Sequence, residues 1–137
     1  MGRVIGIDYG DKRCGVAVSD PSWMIASAHH VISNRGMDRV IREIAEVCRN
    51  QEAERIVLGW PLNMDGTEGP ATAKVRNFLL KLKPAIDLPV ETWDERLTTR
   101  TAETILIEAG TRRKKRKGLV DKVAAQVLLQ HYLDSRV

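Results

Sequence analysis

The sequence predicts an α/β fold: a mixed β-sheet, made of a three-strand antiparallel meander plus two parallel strands, with helices packed on it. Residues 1–33 hold three short runs, rich in β-branched residues and joined by short connections, as a meander requires. From Asp38 the apolar spacing turns helical, and short apolar strands then alternate with helices to the end of the chain. No repeat and no linker interrupts the pattern, so one domain over 1–137 is expected. With 43% hydrophobic and 29% charged residues in a chain of 137, folding can bury roughly two-thirds of the unfolded surface around one core. Disorder as the main state is excluded.

Residues 4–9 are β-branched and bounded by Gly10, which makes them a strand. Residues 14–19 set Val16 and Val18 between smaller residues and form the second, returning from a tight turn at Gly10-Asp11-Lys12-Arg13. Residues 28–33 make the third. Val40, Ile41, Ile44, Val47 and Cys48 then share one helical face, with charges on the other. Residues 55–58 read as an apolar strand ended by Gly59 and Pro61. Residues 62–70, with Asn63, Asp65, Gly66, Gly69 and Pro70, read as a loop. A helix over 71–82 and a strand over 88–93 follow. Thr98 or Thr99 can cap a helix that Gly110 stops, and residues 119–134 form a last amphipathic helix.

Charge is unevenly spread. Lys and Arg number 22 against 18 Asp and Glu, a net +4. Six of the basic residues are consecutive: Arg112, Arg113, Lys114, Lys115, Arg116 and Lys117. Without those six, 16 basic residues stand against 18 acidic ones. A slightly acidic body with one positive segment points to a localised polyanion contact. Set between two helices, the run is expected to be a mobile segment that clamps a phosphate backbone near Asp121; a solvated loop is the plainer alternative. Cys14 and Cys48 lack metal-ligand spacing, so neither a disulfide scaffold nor a zinc site is expected. Asp8 breaks the N-terminal apolar stretch, which excludes a signal peptide or a membrane span. Gly6 stands where myristoylation at Gly2 requires Ser or Thr. The reading is a cytoplasmic protein.

Acids stand at three places where they are costly or well placed for chemistry. Asp8 lies within a strand among Ile5, Gly6, Ile7 and Tyr9, where a charge needs compensation; the plainer reading is an Asx turn with Gly10 and Lys12. Asp94 and Glu95 end a strand, where α/β sheets gather their sites, although either also suits a helix N-terminus. Asp121 shares a helical face with Ala125, Leu128 and Tyr132, an otherwise apolar and inward one. Clustered carboxylates repel and take up protons unless a divalent ion binds. Mg²⁺ favours a few carboxylates with water and phosphate oxygens, and such ions activate water for phosphodiester hydrolysis.

These residues also carry a resemblance. The segment Ile7-Asp8-Tyr9-Gly10-Asp11-Lys12-Arg13-Cys14-Gly15-Val16-Ala17 resembles the opening motif of the YqgF/RuvX family. Gly59-Trp60-Pro61-Leu62 with Asp65-Gly66 is similar to its central motif, and Asp94-Glu95-Arg96-Leu97-Thr98-Thr99 to its third. Asp121-Lys122-Val123-Ala124-Ala125, with Leu128, Leu129, Tyr132 and Leu133, is similar to its last. Four motifs in register over about residues 3–134 imply an RNase H-like fold. They imply a hydrolase acting on ester bonds, a nuclease that processes the 5′ end of precursor 16S rRNA in ribosome biogenesis. By the family's similarity to RuvC, a Holliday junction resolvase is the alternative. The acidic site carried over by the motifs is Asp8, Glu95 and Asp121, as catalytic and as Mg²⁺ or Mn²⁺ ligands. The resolvase relatives place two of four acids on the last helix. Here Ala124 stands three residues after Asp121, which favours simple hydrolysis over junction resolution.

Other residues admit two uses each. Lys12, Arg13 and Arg96 adjoin the candidate acids, either to hold phosphate oxygens or to pair with those acids. Trp60 and Trp93 can stack on bases, but with so few aromatic residues core packing is their expected use. His29 and His30, adjacent in a strand, are expected on opposite faces and unable to share a metal; no catalytic role falls to any His. The Asp8-Tyr9-Gly10 hairpin also resembles the phosphate loop of the actin and sugar-kinase superfamily, whose folds need two lobes where this chain is long enough for one. A non-catalytic RNA-binding assembly factor is the remaining class. In each reading of the acids the partner is nucleic acid, precursor rRNA or structured DNA, and no membrane is involved.

Overall fold

The computed structural model describes residues 2–96 and 113–136, with side chains included except those of 113–122. In chain order it contains β1 (Arg3–Tyr9), β2 (Arg13–Ser19), β3 (Ala26–Ser33), α1 (Met37–Asn50), β4 (Ala53–Trp60), α2 (Pro70–Ala85), β5 (Val90–Asp94) and α3 (Arg113–Asp134). The expected helix between Thr98 and Gly110 lies outside the described residues, as does Arg112.

The strands form one sheet in the order β3-β2-β1-β4-β5. β1 pairs antiparallel with β2, and β2 with β3. β1 pairs parallel with β4, and β4 with β5. This is the expected meander plus two parallel strands. The parallel strands need crossovers, which α1 and α2 supply on one face of the sheet.

Alternation along the strands divides the apolar residues between two layers. Ile5, Ile7, Val16, Ile56 and Leu58 meet Ile44, Val47, Phe78 and Leu82 of α1 and α2. On the other face, Val4, Ala17, Ala26 and Val57 meet Ala125, Leu128, Leu129, Tyr132 and Leu133 of α3. Each fully buried Leu, Ile or Phe contributes roughly 1.5–3 kcal/mol relative to exposure. Cys14 and Cys48 lie within the first layer and form no disulfide.

α3 approaches unusually closely because β1 offers it a bare residue. A Cβ on Gly6 would stand 2.9 Å from Leu129 Cβ and 3.3 Å from the Ala125 carbonyl oxygen. Gly6→Ala should therefore lift the helix and cost about 1–3 kcal/mol. The check is a lower urea midpoint with an unchanged m-value. Two glutamines fasten the helix to the edge strand. Gln126 Nε2 donates to the Ala26 carbonyl (3.2 Å), while the Ala26 N–H donates to Gln130 Oε1 (2.8 Å). Backbone groups that a sheet edge would leave open at Ala26 are thereby satisfied.

Three expectations are corrected. β4 runs past Leu58 through Gly59 to Trp60, because β5 continues the ladder alongside it to Asp94. The last helix begins at Arg113 rather than near 119, so Arg113–Lys117 is helical backbone and not a loop between helices. Lys and Arg are good helix formers, and a helix already docked by its C-terminal half extends backwards through them at low cost. The third concerns β3. His30 pairs with Val16 and Ala28 with Ala17, which leaves His29 as the extra residue of a β-bulge. The bulge cancels the alternation there, and the rings of His29 and His30 meet, with their Nδ1 atoms 2.5 Å apart.

Candidate active site

β1 builds core and site from the same alternation. Ile5 and Ile7 enter the α1/α2 layer, whereas Gly6 lies under α3 and Asp8, two residues on, continues that face. Asp8 is in register with Gly15 of β2. The turn beyond it is held by Asn34, whose Nδ2 donates to the Gly10 carbonyl at 2.8 Å and whose N–H donates to the Lys12 carbonyl at 2.9 Å. Gly10 is required by a close approach, since a Cβ there would stand 2.7 Å from the Arg13 carbonyl oxygen.

Glu95 is the first residue beyond β5. Its N–H donates to the Trp60 carbonyl (3.3 Å), and its carboxyl folds back over β4 at Gly59. A Cβ on Gly59 would fall on Glu95 Oε2 and stand 2.7 Å from Leu128 Cδ1. The same carboxyl hydrogen-bonds to Asp8. The structure thus brings together two of the three acids from separate strand ends. Burial first, then the Asp8 charge and their mutual hydrogen bond, and lastly Asp94, push the Glu95 carboxyl from 4.5 up to about 9.

That shift has a defined sign for stability. Between pH 4.5 and about 9, the folded protein keeps a proton on Glu95 that the unfolded chain has released. The metal-free protein should therefore lose stability as pH rises through this window. Glu95→Gln should flatten the dependence, as read by melting temperature from pH 5 to 9.

Asp94 behaves differently from its neighbour. It accepts from the Arg96 backbone N–H (3.0 Å) and Nε (2.9 Å), with Arg96 Nη2 at 2.8 Å. These bonds hold it below the usual carboxylate range. Arg96 in turn reaches the Met64 carbonyl (3.5 Å), in a loop closed by Asp65, which accepts from the Thr67 hydroxyl and N–H. Of the two uses expected for Arg96, pairing with an acid is the one seen, and the acid is Asp94 rather than Glu95. Arg13 is half-buried on the Asp8 face of β2, two residues from Gly15, and Lys12 is exposed in the turn.

Position 121 lies in α3 four residues, about 6 Å of helix rise, before Ala125, whose carbonyl sits over Gly6. Since Tyr132 and Leu133 pack at the Val4 end, that stretch falls toward the Asp8 end of β1. The Asp121 side chain lies outside the described residues, as do those of Arg113, Lys114, Lys115, Arg116 and Lys117. Among the described residues no three of His, Cys, Asp and Glu form a metal-binding group. Two carboxyls crowded enough to share a proton nevertheless fit a hard divalent cation, which takes oxygen ligands and displaces such a proton.

Trp60 and Trp93 pack as expected. Arg76 lies over the Trp60 ring, and Trp93 meets the Tyr132 ring edge-on. Sequence reasoning places Gly59 at a strand end and in the central motif but gives it no part in the acidic site. A glycine closing an apolar strand signals close approach by another group, and here that group is the Glu95 carboxyl.

The five-stranded mixed sheet, with Asp8 on its central strand and Glu95 just beyond the edge strand β5, has the RNase H-like fold. Its solved likenesses agree in fold. T. thermophilus RuvC in complex with a Holliday junction substrate superposes with a TM-score of 0.61 at 18% identity, over 99% of this chain and 96% of that one. The fowlpox virus resolvase with Holliday junction DNA does so with 0.60 at 14%, over 98% and 99%. Sequence comparison is more specific. A model of the RuvX family, described as Holliday junction resolvase, matches residues 2–135, and the chain belongs to that family. Relatives named "Putative pre-16S rRNA nuclease" include those of Syntrophomonas wolfei (44% identical, 96% of this chain and 94% of the relative) and Halothermothrix orenii (47%, with the same coverages). No described helix is long and apolar enough to cross a membrane.

Proposed function

We propose that this chain, as a single RNase H-like nuclease domain over 1–137, is a divalent-metal-dependent phosphodiester hydrolase that processes the 5′ end of precursor 16S rRNA in the cytoplasm. The observation that carries the reading is the half-buried Asp8–Glu95 carboxyl pair, with Glu95 raised to about 9. No structural need explains it, because two acids crowded in this way lower stability. The name shared by relatives at 44–47% identity supports the substrate. In this reading Asp8, Glu95 and Asp121 hold Mg²⁺ or Mn²⁺, which supplies an activated water and neutralises charge on the phosphate.

The chain's own residues prepare the rest. The backbone of Asp8 is fixed by its strand and that of Glu95 by the bond from its N–H to the Trp60 carbonyl. Leu128, buried on the helix side, lies against Gly59 beneath the Glu95 carboxyl. Arg96, held beside Glu95 by half-exposed Asp94, can exchange that carboxylate for a phosphate oxygen. Arg13 and Lys12 approach from the β1–β2 turn, and the basic run from Arg112 to Lys117 adds charge along the backbone of the nucleic acid.

The test offers purified protein a 5′-extended small-subunit rRNA precursor and a four-way DNA junction in parallel, each with Mg²⁺ or Mn²⁺. Cleavage of the precursor, with the junction cut poorly or not at all, is the expected result. Equal or preferred junction cleavage would transfer the function to resolution, and binding without cleavage at any metal concentration would leave an assembly factor.

A further inference from the structure

Beside the carboxyl pair, on the α2 side, lies a cavity of about 420 Å³. Tyr9, Pro61, Pro70, Ala71, Val75 and Glu95 form its walls. Glu95 therefore belongs both to the pair and to the cavity, so whatever fills the cavity touches the group next to the reacting phosphate. The walls are mostly apolar and unlike a phosphate cradle. The Tyr9 ring is backed by fully buried Phe78, stacked at 4.1 Å between centroids and 14° between planes, so it cannot swing away. Apart from Glu95, the charged residues lining it are Lys74 and Asp11, whose Nζ and Oδ2 pair at 2.7 Å at the rim, both more than half exposed.

We propose that this cavity takes one unstacked nucleobase of the strand whose phosphate is bound at Asp8 and Glu95. The inference rests on the nuclease reading for the position of that phosphate. The chemistry selects the occupant. The groups next to a backbone phosphate are a sugar and a base, and of these the base has the flat, apolar face that Tyr9 and the two prolines complement. Single-stranded RNA is commonly recognised by bases splayed onto aromatic side chains. The volume lies within the range of small-molecule sites, and Lys74 at the rim suits the next phosphate along. An enzyme built in this way would require an unpaired nucleotide at a fixed offset from the cut.

The experiment uses precursor RNA carrying one abasic nucleotide at a time within three positions of the cleavage site, with wild type and Ala71→Trp. Ala71 is exposed on the first turn of α2, so an indole there fills the cavity without entering the core. One abasic position should lower wild-type kcat/KM about tenfold, within what base stacking supplies. Ala71→Trp should lose a similar factor on intact RNA and nothing further on that abasic substrate. Uniform rates across all abasic positions, or additive losses in the variant, would overturn the proposal. A second arm monitors RNA with 2-aminopurine at each position on binding to Asp8→Asn. One position should change fluorescence, and that change should vanish in Asp8→Asn/Ala71→Trp. Its absence counts against the cavity even where cleavage is normal. A base signal without cleavage by wild type removes the nuclease reading and leaves the cavity's role standing.

Discussion

Asp8→Asn should reduce single-turnover cleavage by at least about 10³-fold, some 4 kcal/mol of transition-state stabilisation, while the protein stays folded. The substitution keeps the shape of the side chain and removes the charge that a divalent ion needs. It also removes the largest electrostatic cause, after burial, of the Glu95 shift. The metal-free variant should therefore be as stable as wild type or more so near pH 8, where wild type bears the cost of a crowded pair. Loss of activity with unchanged or higher melting temperature is a combination that simple misfolding cannot produce. Full activity in the purified variant would remove Asp8 from the chemistry.

Gly59→Ala should lower kcat by about 10²-fold or more without touching a charged residue. The added methyl would occupy the place of Glu95 Oε2 and press on Leu128 Cδ1 at 2.7 Å. Between a helix side chain packed in the core and the end of a flexible glutamate, the glutamate yields first. Glu95 then leaves Asp8, and the cation loses a ligand. Some overpacking remains, so a stability loss of about 1–3 kcal/mol accompanies it. The discriminating measurement is a double-mutant cycle. If Gly59 acts only through Glu95, Gly59→Ala/Glu95→Gln should cleave no more slowly than Glu95→Gln alone. Additive losses would mean that Gly59 supports activity by another route.

Much of this arrangement was legible from residue order. Strand alternation in Ile5-Gly6-Ile7-Asp8 and the helical spacing of Val40, Ile41, Ile44 and Val47 are local patterns, and local patterns specify local structure. The anomaly of a charged residue in an apolar strand marked Asp8 for the same reason. What escaped depends on partners far away in the chain. A bulge at His29 is a mismatch between two strands and has no signature in one of them. Gly59 reads as punctuation until Glu95, 36 positions later, is found above it. The start of α3 is hidden because the charge density at Arg113–Lys117 suggests a solvated run, whereas Lys and Arg are good helix formers and continue the docked helix. Between Asp94 and Glu95 strand position alone makes no choice and only the family resemblance selects Glu95; in the structure the Glu95 carboxyl turns to Asp8 while Asp94 pairs with Arg96.

One strand, β1, serves two masters by turns. Slide it by a single residue against its neighbours and Asp8 would be thrust among the oily side chains of the α1/α2 layer, while a bulky isoleucine would jam the helix that needs a bare glycine. Mispairing of this kind cannot yield a sound body with a displaced Asp8. The fold proofreads its own chemistry, since any chain that packs at all has already delivered Asp8 to the correct side.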